Sequence, residues 1–264
     1  MPSTVHRPPS TVFSIITVVY NGVALLPGTI ESVRRQTYPH IEYLVIDGGS
    51  TDGTLDIIRK YASEMPNLRW ISEKDRGLYD AMNKGLRLAT GDFVWFLNGG
   101  DHLHTPETAE KLAQMISPET DVLYGETMVV DENRRPLGAM SELSTRKLPE
   151  HLHWRDYLGG MLVIHQSFIV RRTLAPDYME GNLCADFDWC IRILKKSRQN
   201  VNSGLILSDY LAGGISKKRR RQSLRDRFAV MRTHFGLVRT LLAHAWIVIR
   251  AAAHRMNRWE KERY

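Results

Sequence analysis

The sequence predicts an α/β fold: a single Rossmann-like, mostly parallel sheet flanked by helices, followed by a basic helical tail. Three observations carry this. Four short apolar runs each stop at a cluster of glycines and small polar or acidic residues. Between the runs, apolar residues recur at three- and four-residue spacing, as in helices that lay one face on a core. Strand and helix alternate four times before Asp101, an order that gives a parallel sheet with right-handed crossovers.

The runs are continuous rather than alternating, as strands buried on both faces are. Residues 13–19 (FSIITVV) are the first and stop at Tyr20-Asn21-Gly22. Leu25, Leu26, Ile30 and Val33 then mark a helix that reaches Gln36. Tyr43-Leu44-Val45-Ile46 is the second strand, and Ser50 or Asp52 can cap the helix carrying Ile57, Ile58 and Tyr61. Arg69-Trp70-Ile71 is a short third strand. A helix over residues 79–89 leads to Phe93-Val94-Trp95-Phe96-Leu97, which stops at Asn98-Gly99-Gly100-Asp101. The two glycines allow a sharp turn and close approach of a ligand. Further on, the spacing predicts a helix over 106–116, a strand at Val122-Leu123-Tyr124 and a turn at 133–136 that would join a hairpin. His165-Gln166-Ser167 interrupts an apolar run over 161–170. A helix over 184–194 carries Asp186 and Asp188 near its start.

A chain of 264 residues that is 43% hydrophobic has ample material for a core. No stretch reaches the ~18 consecutive apolar residues of a membrane-spanning helix. Residues 1–12 read as a flexible segment without the apolar centre of a secretory signal. Cys184 and Cys190 are too few for a disulfide framework and lack zinc-site spacing, which points to a reducing, cytoplasmic setting. The charge is uneven. From Lys217 onward, fourteen Lys and Arg face three acids, a net of +11, so the first 216 residues carry −4 of the overall +7. A mildly acidic body with a basic tail differs from a uniformly basic protein.

Three successive strand ends deliver acidic or small polar groups: Asp47 with Ser50 and Asp52, Asp75 with Gly77, and Asn98 with Asp101. In a parallel sheet these ends share one edge, where open α/β sheets bind ligands. For a single such acid, a helix cap or turn residue is the plainer account; three in a row weaken it. Converging carboxylates repel unless a positive group sits among them, and Mg2+ or Mn2+ with a diphosphate would supply that balance. Neither a G-x-x-x-x-G-K-[ST] loop nor a G-x-G-x-x-G after the first strand is present.

The ordered set Ser14-Ile15-Ile16-Thr17-Val18-Val19-Tyr20-Asn21, Val45-Ile46-Asp47-Gly48-Gly49-Ser50-Thr51-Asp52-Gly53-Thr54, residues 72–85 (SEKDRGLYDAMNKG) and Phe96-Leu97-Asn98-Gly99-Gly100-Asp101 resembles family-two glycosyltransferases of the GT-A fold. It is most like bacterial enzymes that build exopolysaccharides, capsules and cell-surface glycolipids, such as the colanic acid glycosyltransferases. The resemblance covers residues 13–216, with a nucleotide-binding half over 13–101 and an acceptor half over 102–216. It implies donor contacts from Thr17, Val19, Tyr20 and Asn21, and from Asp47 facing the base or ribose, with Gly48, Ser50 and Asp52 shaping that loop. It implies further donor contacts from Asp75, Gly77, Tyr79, Asp80, Asn83 and Lys84. Asn98, Gly99, Gly100 and Asp101 fall at the D-x-D motif, whose last acid, Asp101, ligates the divalent metal. Asn98 and Gly100 stand where the family pattern has acids.

Inverting transfer needs a base for the acceptor hydroxyl. Residues 184–189 (CADFDW) resemble the family's E-D segment at a helix start, which implies Asp186 as the base. Ala185 replaces the usual first acid. Asp188, two positions along, points elsewhere on a helix; it and His165, from the HQS segment, are the acceptor-side candidates. The plainer accounts are helix-dipole acids for the aspartates and a hydrogen-bonded core residue for the histidine.

In the tail, Leu224, Phe228, Met231, Phe235, Val238, Leu242, Trp246 and Ile249 recur at helical spacing with interleaved arginines, as a basic amphipathic helix or a pair broken at Gly236. Such a stretch binds an anionic membrane surface or packs on the body with a solvated basic face. Nucleic acid is not expected, because no nucleic-acid module accompanies the arginines. The expected function is inverting, metal-dependent sugar transfer from a nucleotide-diphosphate sugar to a lipid-linked or surface-glycan acceptor, on the inner face of the cell membrane. The alternatives are a sugar nucleotidyltransferase, which would normally carry a G-x-G-T-R segment after the first strand, and a catalytically weak nucleotide-sugar-binding or membrane adaptor protein.

Overall fold

A computed structural model of the chain describes residues 11–213 and 219–261, and side chains as far as residue 250. Residues 1–10 of the expected N-terminal segment, Gly214 at the end of the body, and Lys217 and Lys218 at the head of the tail lie outside the described residues. Thr11 and Val12 already belong to the body: Tyr38 donates its hydroxyl to Thr11 O, and Val12 N–H donates to Asp92.

Strands β1 (Phe13–Val19), β2 (Ile41–Asp47), β3 (Leu68–Ser72) and β4 (Phe93–Phe96) lie side by side in the order β3-β2-β1-β4, all parallel. All seven residues of β1 are buried, which is why its sequence is apolar on both sides of the pleat. Its faces still separate by parity. Phe13, Ile15 and Val19 join one core, and Ile16 and Val18 join the other. The first core lies under helices α1 (Leu26–Arg34), α2 (Thr54–Glu64) and, further on, α4 (Thr108–Ala113); α3 (Leu78–Leu88) covers the second.

Register brings the functional edge together. Val19 lies opposite Asp47, and Asp47 opposite Ser72. Gly99 N–H donates to Val18 O, so the segment after β4 ends level with them.

The second half extends the same sheet. β8 (Phe168–Arg171) runs antiparallel to β4 and to β6 (Thr120–Val130), and β6 pairs in parallel with β9 (Gln199–Leu211). β5 (His102–Leu103) closes the far edge against β9. β7 (Pro136–Ala139) forms the expected hairpin with β6 and leads to the single turn α5 (Met140–Leu143). The thirteen-residue β9 is not legible in the sequence: QNVNSGLILSDYL is rich in turn formers, and the pairing with β6 shifts register three times. The expected helix over 106–116 shortens to six residues.

Helix α6 (Ala185–Leu194) packs under the sheet on the α3 side. The tail forms α7 (Arg220–Phe235) and α8 (Leu237–Lys261), divided at Gly236, whose φ of 81° favours glycine. The periodic apolar residues do not share one face. Val230, Met231 and Phe235 are buried against the body, whereas Leu237, Val238, Leu241, Leu242, Trp246, Val248 and Ile249 are 51–70% exposed. The tail therefore both packs on the body and presents an outer face that is apolar rather than basic. Among the described residues no helix is long and apolar enough to cross a membrane.

Candidate active site

A cavity of about 500 Å3 opens at the ends of β1 and β2, lined by Val19, Tyr20, Gly48, Asp75, Gly77 and Leu78. Tyr20 is well exposed beside it, and Asn21 adopts a left-handed φ of 49° that turns the chain there. A Cβ at Gly48 would lie 2.8 Å from Asp75 Oδ2 and 3.4 Å from the Tyr20 ring, so glycine is what admits that carboxylate. Lys84 Nζ holds Asp75 Oδ1 at 2.5 Å and also pairs with Glu73 at 2.9 Å. Gly77 starts α3 at φ 140°, ψ −179°, a conformation open to glycine alone. A second cavity, of about 280 Å3, shares Arg76, Gly77 and Leu78 and extends along Tyr79, Asp80 and Leu183.

Several residues expected to touch the donor are instead spent on structure. Asp47 is fully buried: Oδ1 accepts from Ser50 Oγ at 2.5 Å, and Oδ2 from Gly49 N–H, Ser50 N–H and Ser72 Oγ at 3.1, 3.0 and 2.6 Å. It builds the loop, with four protein donors around its two oxygens. Thr17 is enclosed in the sheet against the Tyr43 hydroxyl. Asn83 uses both ends of its amide on the Tyr178 backbone. The expected side-chain cap of α2 is absent, the N-cap being Gly53; Asp52, one residue earlier, accepts from Thr54 N–H at 3.1 Å and Thr54 Oγ1 at 2.5 Å, and that hydroxyl first holds its carboxyl below the usual range. Ser50 accepts from Asn21 N–H, tying the first two loops together. Asp80 locks the 76–80 turn: the backbone N–H and guanidinium of Arg76 each donate to it at 3.0 Å and lower its pKa. Tyr79 turns away from the nucleotide side, as described below.

The segment after β4 is held on both flanks. Gly100 N–H donates to Thr29 Oγ1, and Arg134 Nη2 donates to Gly100 O. A Cβ at Gly99 would lie 3.3 Å from Val19 Cγ2, and Gly100 takes a φ of 106°. Asp101 is 4% exposed. Its Oδ2 accepts from Gln166 Nε2 at 2.6 Å and its Oδ1 from Leu211 N–H at 2.9 Å. Burial pushes its carboxyl up to about 6 despite those bonds and despite His165 and Arg134 nearby. The donor set fits a hard divalent cation. It offers the Asp101 carboxylate, and the amide oxygens of two nearby residues, Asn98 Oδ1 and Gln166 Oε1, are buried without partners. Among the described residues no three His, Cys, Asp or Glu side chains cluster as a metal site, so Asp101 would bear the anionic share alone.

Asp186 sits in the first turn of α6, with Oδ1 accepting from Phe187 N–H at 2.9 Å and from the Tyr79 hydroxyl at 3.3 Å. His165 Nδ1 lies 3.7 Å from its Oδ2, and His165 Nε2 lies 3.3 Å from Asn98 Nδ2. The fold thus brings Asp186, His165, Asn98 and Asp101 to one edge. Asp188 does not join them. It is buried on the opposite side of α6, bonded to Arg192 Nε at 2.5 Å and His234 Nε2 at 2.7 Å, and ties α6 to α7. Burial alone would raise its carboxyl, but His234 and Arg192 outweigh that and hold it below the usual range. Two site residues have no distinct sequence signal. Gln166 looks like an intruder in an apolar run, and Arg134 like an ordinary turn residue.

The sequence profile described as Glycosyl transferase family 2 matches residues 14–177. A PGL/p-HBAD biosynthesis glycosyltransferase of Mycobacterium bovis is 36% identical over 190 residues, 68% of this chain and 68% of that protein. An uncharacterized glycosyltransferase of Mycobacterium tuberculosis is 40% identical over 188 residues, 68% of this chain and 67% of the other. Among solved structures, Staphylococcus aureus TarS residues 1–349 superimpose with a TM-score of 0.65 at 21% identity, covering 90% of this chain and 71% of that one. A Pyrobaculum calidifontis mannosyltransferase, solved with GDP-Man and Mn2+, superimposes with a TM-score of 0.64 at 20% identity, covering 92% and 73%.

Proposed function

The chain belongs to glycosyl transferase family 2, and on that premise we propose that it transfers a sugar, with inversion, from a nucleotide-diphosphate donor to a lipid-linked or surface-glycan acceptor of the cell envelope. The observation that supports this reading is that one turn touches both carboxylates: Gln166 bonds Asp101, and the adjacent His165 lies 3.7 Å from Asp186, while Gly99 abuts Val19, which lines the cavity. The nucleotide fits the cavity between Tyr20 and Asp75. Asp101 would hold a divalent cation, Mg2+ or Mn2+, which supplies positive charge for the departing diphosphate. Asp186 takes the acceptor hydroxyl's proton as that oxygen attacks the anomeric carbon from the face opposite the diphosphate.

The mycobacterial relative's name, PGL/p-HBAD biosynthesis glycosyltransferase, favours a glycolipid acceptor. The outer face of α8 favours an anionic membrane surface as partner, with the protein peripheral on the cytoplasmic side. Seven apolar side chains, Trp246 among them, project from it, and six arginines lie between residues 219 and 232. Trp246→Glu should abolish sedimentation with anionic liposomes; unchanged sedimentation removes the membrane from this reading.

The test is transfer from a panel of nucleotide sugars with Mn2+, wild type against Asp186→Asn. Turnover should fall by about 10²–10⁴-fold in the variant. The sparse acidic set around Asp101 favours one competitor, a nucleotide-sugar-binding protein with degraded catalysis. Nucleotide binding with no turnover of any donor by either protein would decide for that competitor.

A further inference from the structure

His165, Gln166 and Ser167 form one buried 3-10 turn, and each side chain reaches a different partner. Ser167 anchors it, bonding to Glu126 O at 3.0 Å and to the hydroxyls of Thr127 and Ser208 at 2.7 and 2.8 Å. Gln166 reaches Asp101. His165, one residue earlier, faces Asn98 through Nε2 and Asp186 through Nδ1. Polar groups in an apolar run are costly unless they are satisfied, and the Ser167 anchor leaves His165 unexplained.

The amide orientation of Asn98 assigns the tautomer. An amide nitrogen donates, so Asn98 Nδ2 leaves His165 Nε2 as acceptor and the ring proton on Nδ1. Nδ1 lies 3.7 Å from Asp186 Oδ2. Across the same carboxylate, Oδ1 takes the N–H of Phe187 and the hydroxyl of Tyr79. Donors from α3, α6 and the 3-10 turn therefore surround Asp186.

We propose that His165 is a positioning residue for Asp186. Through Nδ1–H it orients the carboxylate toward the acceptor hydroxyl, and Asn98 sets the tautomer that makes this possible. The inference rests on Asp186 being the base. The separation of 3.7 Å exceeds a hydrogen bond, and such contacts tighten when substrates bind. No proton passes through the imidazole. The acceptor's proton goes to Asp186 as the new bond to the anomeric carbon forms and the diphosphate leaves with the electrons of the old one. Because Gln166 follows directly, the same turn sets the spacing between the base and Asp101.

Three substitutions test this. His165→Asn keeps a donor at the Nδ1 position, His165→Gln moves it to the Nε2 position, and His165→Leu removes it. Steady-state transfer and the nucleotide-induced thermal shift with Mn2+ are measured for each. The leucine and glutamine variants should lose kcat by on the order of a hundredfold while donor KM and the thermal shift stay within about twofold. The asparagine variant should recover at least about tenfold of that loss. Equal activity of the asparagine and glutamine variants, or a loss confined to donor KM and the thermal shift, overturns the proposal. Asp186→Asn separates the two readings. If it retains turnover, the base assignment falls and this inference with it; if it is inactive while His165→Leu is fully active, only this inference falls.

Discussion

Asp47 and Asp101 occupy equivalent places. Each is a buried aspartate near the carboxyl end of a parallel strand in the same sheet, yet they are bonded differently. Asp47 accepts four hydrogen bonds from its own loop and from Ser72, and nothing is left to offer a ligand. Asp101 accepts two, has orphaned amide oxygens around it, and is pushed up to about 6 by burial. A carboxylate with all its donors in place rigidifies a loop; one buried short of donors is poised to gain from a cation. Position at a strand end is shared, and the donor count sets the two apart.

The largest effects should come from exchanging the two. Asp101→Asn is expected to reduce transfer by about 10²-fold or more and to abolish the Mn2+-dependent part of the nucleotide-induced thermal shift. Its stability in EDTA should hold or rise. The raised pKa means that ionising Asp101 works against the metal-free fold as pH climbs from about 4 through 6, and the asparagine removes that cost. The free Oε1 of Gln166 can also accept from the new amide. Asp47→Asn should do the reverse, costing about 3 kcal/mol in denaturant unfolding because three donors lose a charged acceptor at Oδ2. A stable Asp47→Asn protein would break the comparison.

Asp188 extends the comparison to a third buried aspartate, which by its partners belongs with Asp47. Asp188→Asn should lower stability at neutral pH by about 2 kcal/mol while leaving donor KM unchanged. Its depressed pKa gives the sign: the contribution is complete above the unfolded value near 4 and is lost as pH falls through the folded value below it. The gap between variant and wild type, followed by urea unfolding, should therefore close below about pH 4.

The smallest effect belongs to Gly48, whose φ is not left-handed. Gly48→Ala strains no backbone but sets a methyl group against Asp75, which Lys84 prevents from retreating. Nucleotide affinity, read by titration calorimetry, should weaken by about tenfold, roughly 1.4 kcal/mol, with little change in melting temperature. Unchanged affinity would remove the Asp75 side of the cavity from the nucleotide site.

Much of this was legible without coordinates. The alternation of apolar runs and helical spacing before Asp101 determined four parallel strands, because burial on both faces demands continuous apolar sequence and crossovers demand helices. The strand-end motifs located the edge of the site, and Gly236 marked the break in the tail. What the sequence could not determine was how each polar side chain spends its hydrogen bonds. Thr17 and Asn83 carry site-like chemistry but are consumed by partners far away in the chain, whereas Asp47 and Asp188 are consumed by near neighbours together with one distant partner each. Asp188 meets His234 across 46 residues, and Tyr79 meets Asp186 across 107. The β9 strand and the inward turn of Gln166 and Arg134 have the same origin, since turn-forming or polar residues were placed by contacts from other elements. Local pattern fixes elements because backbone geometry and burial periodicity are local. How fully each carboxylate is bonded was left to the tertiary structure, because partners such as Ser72 for Asp47 and His234 for Asp188 come from other elements.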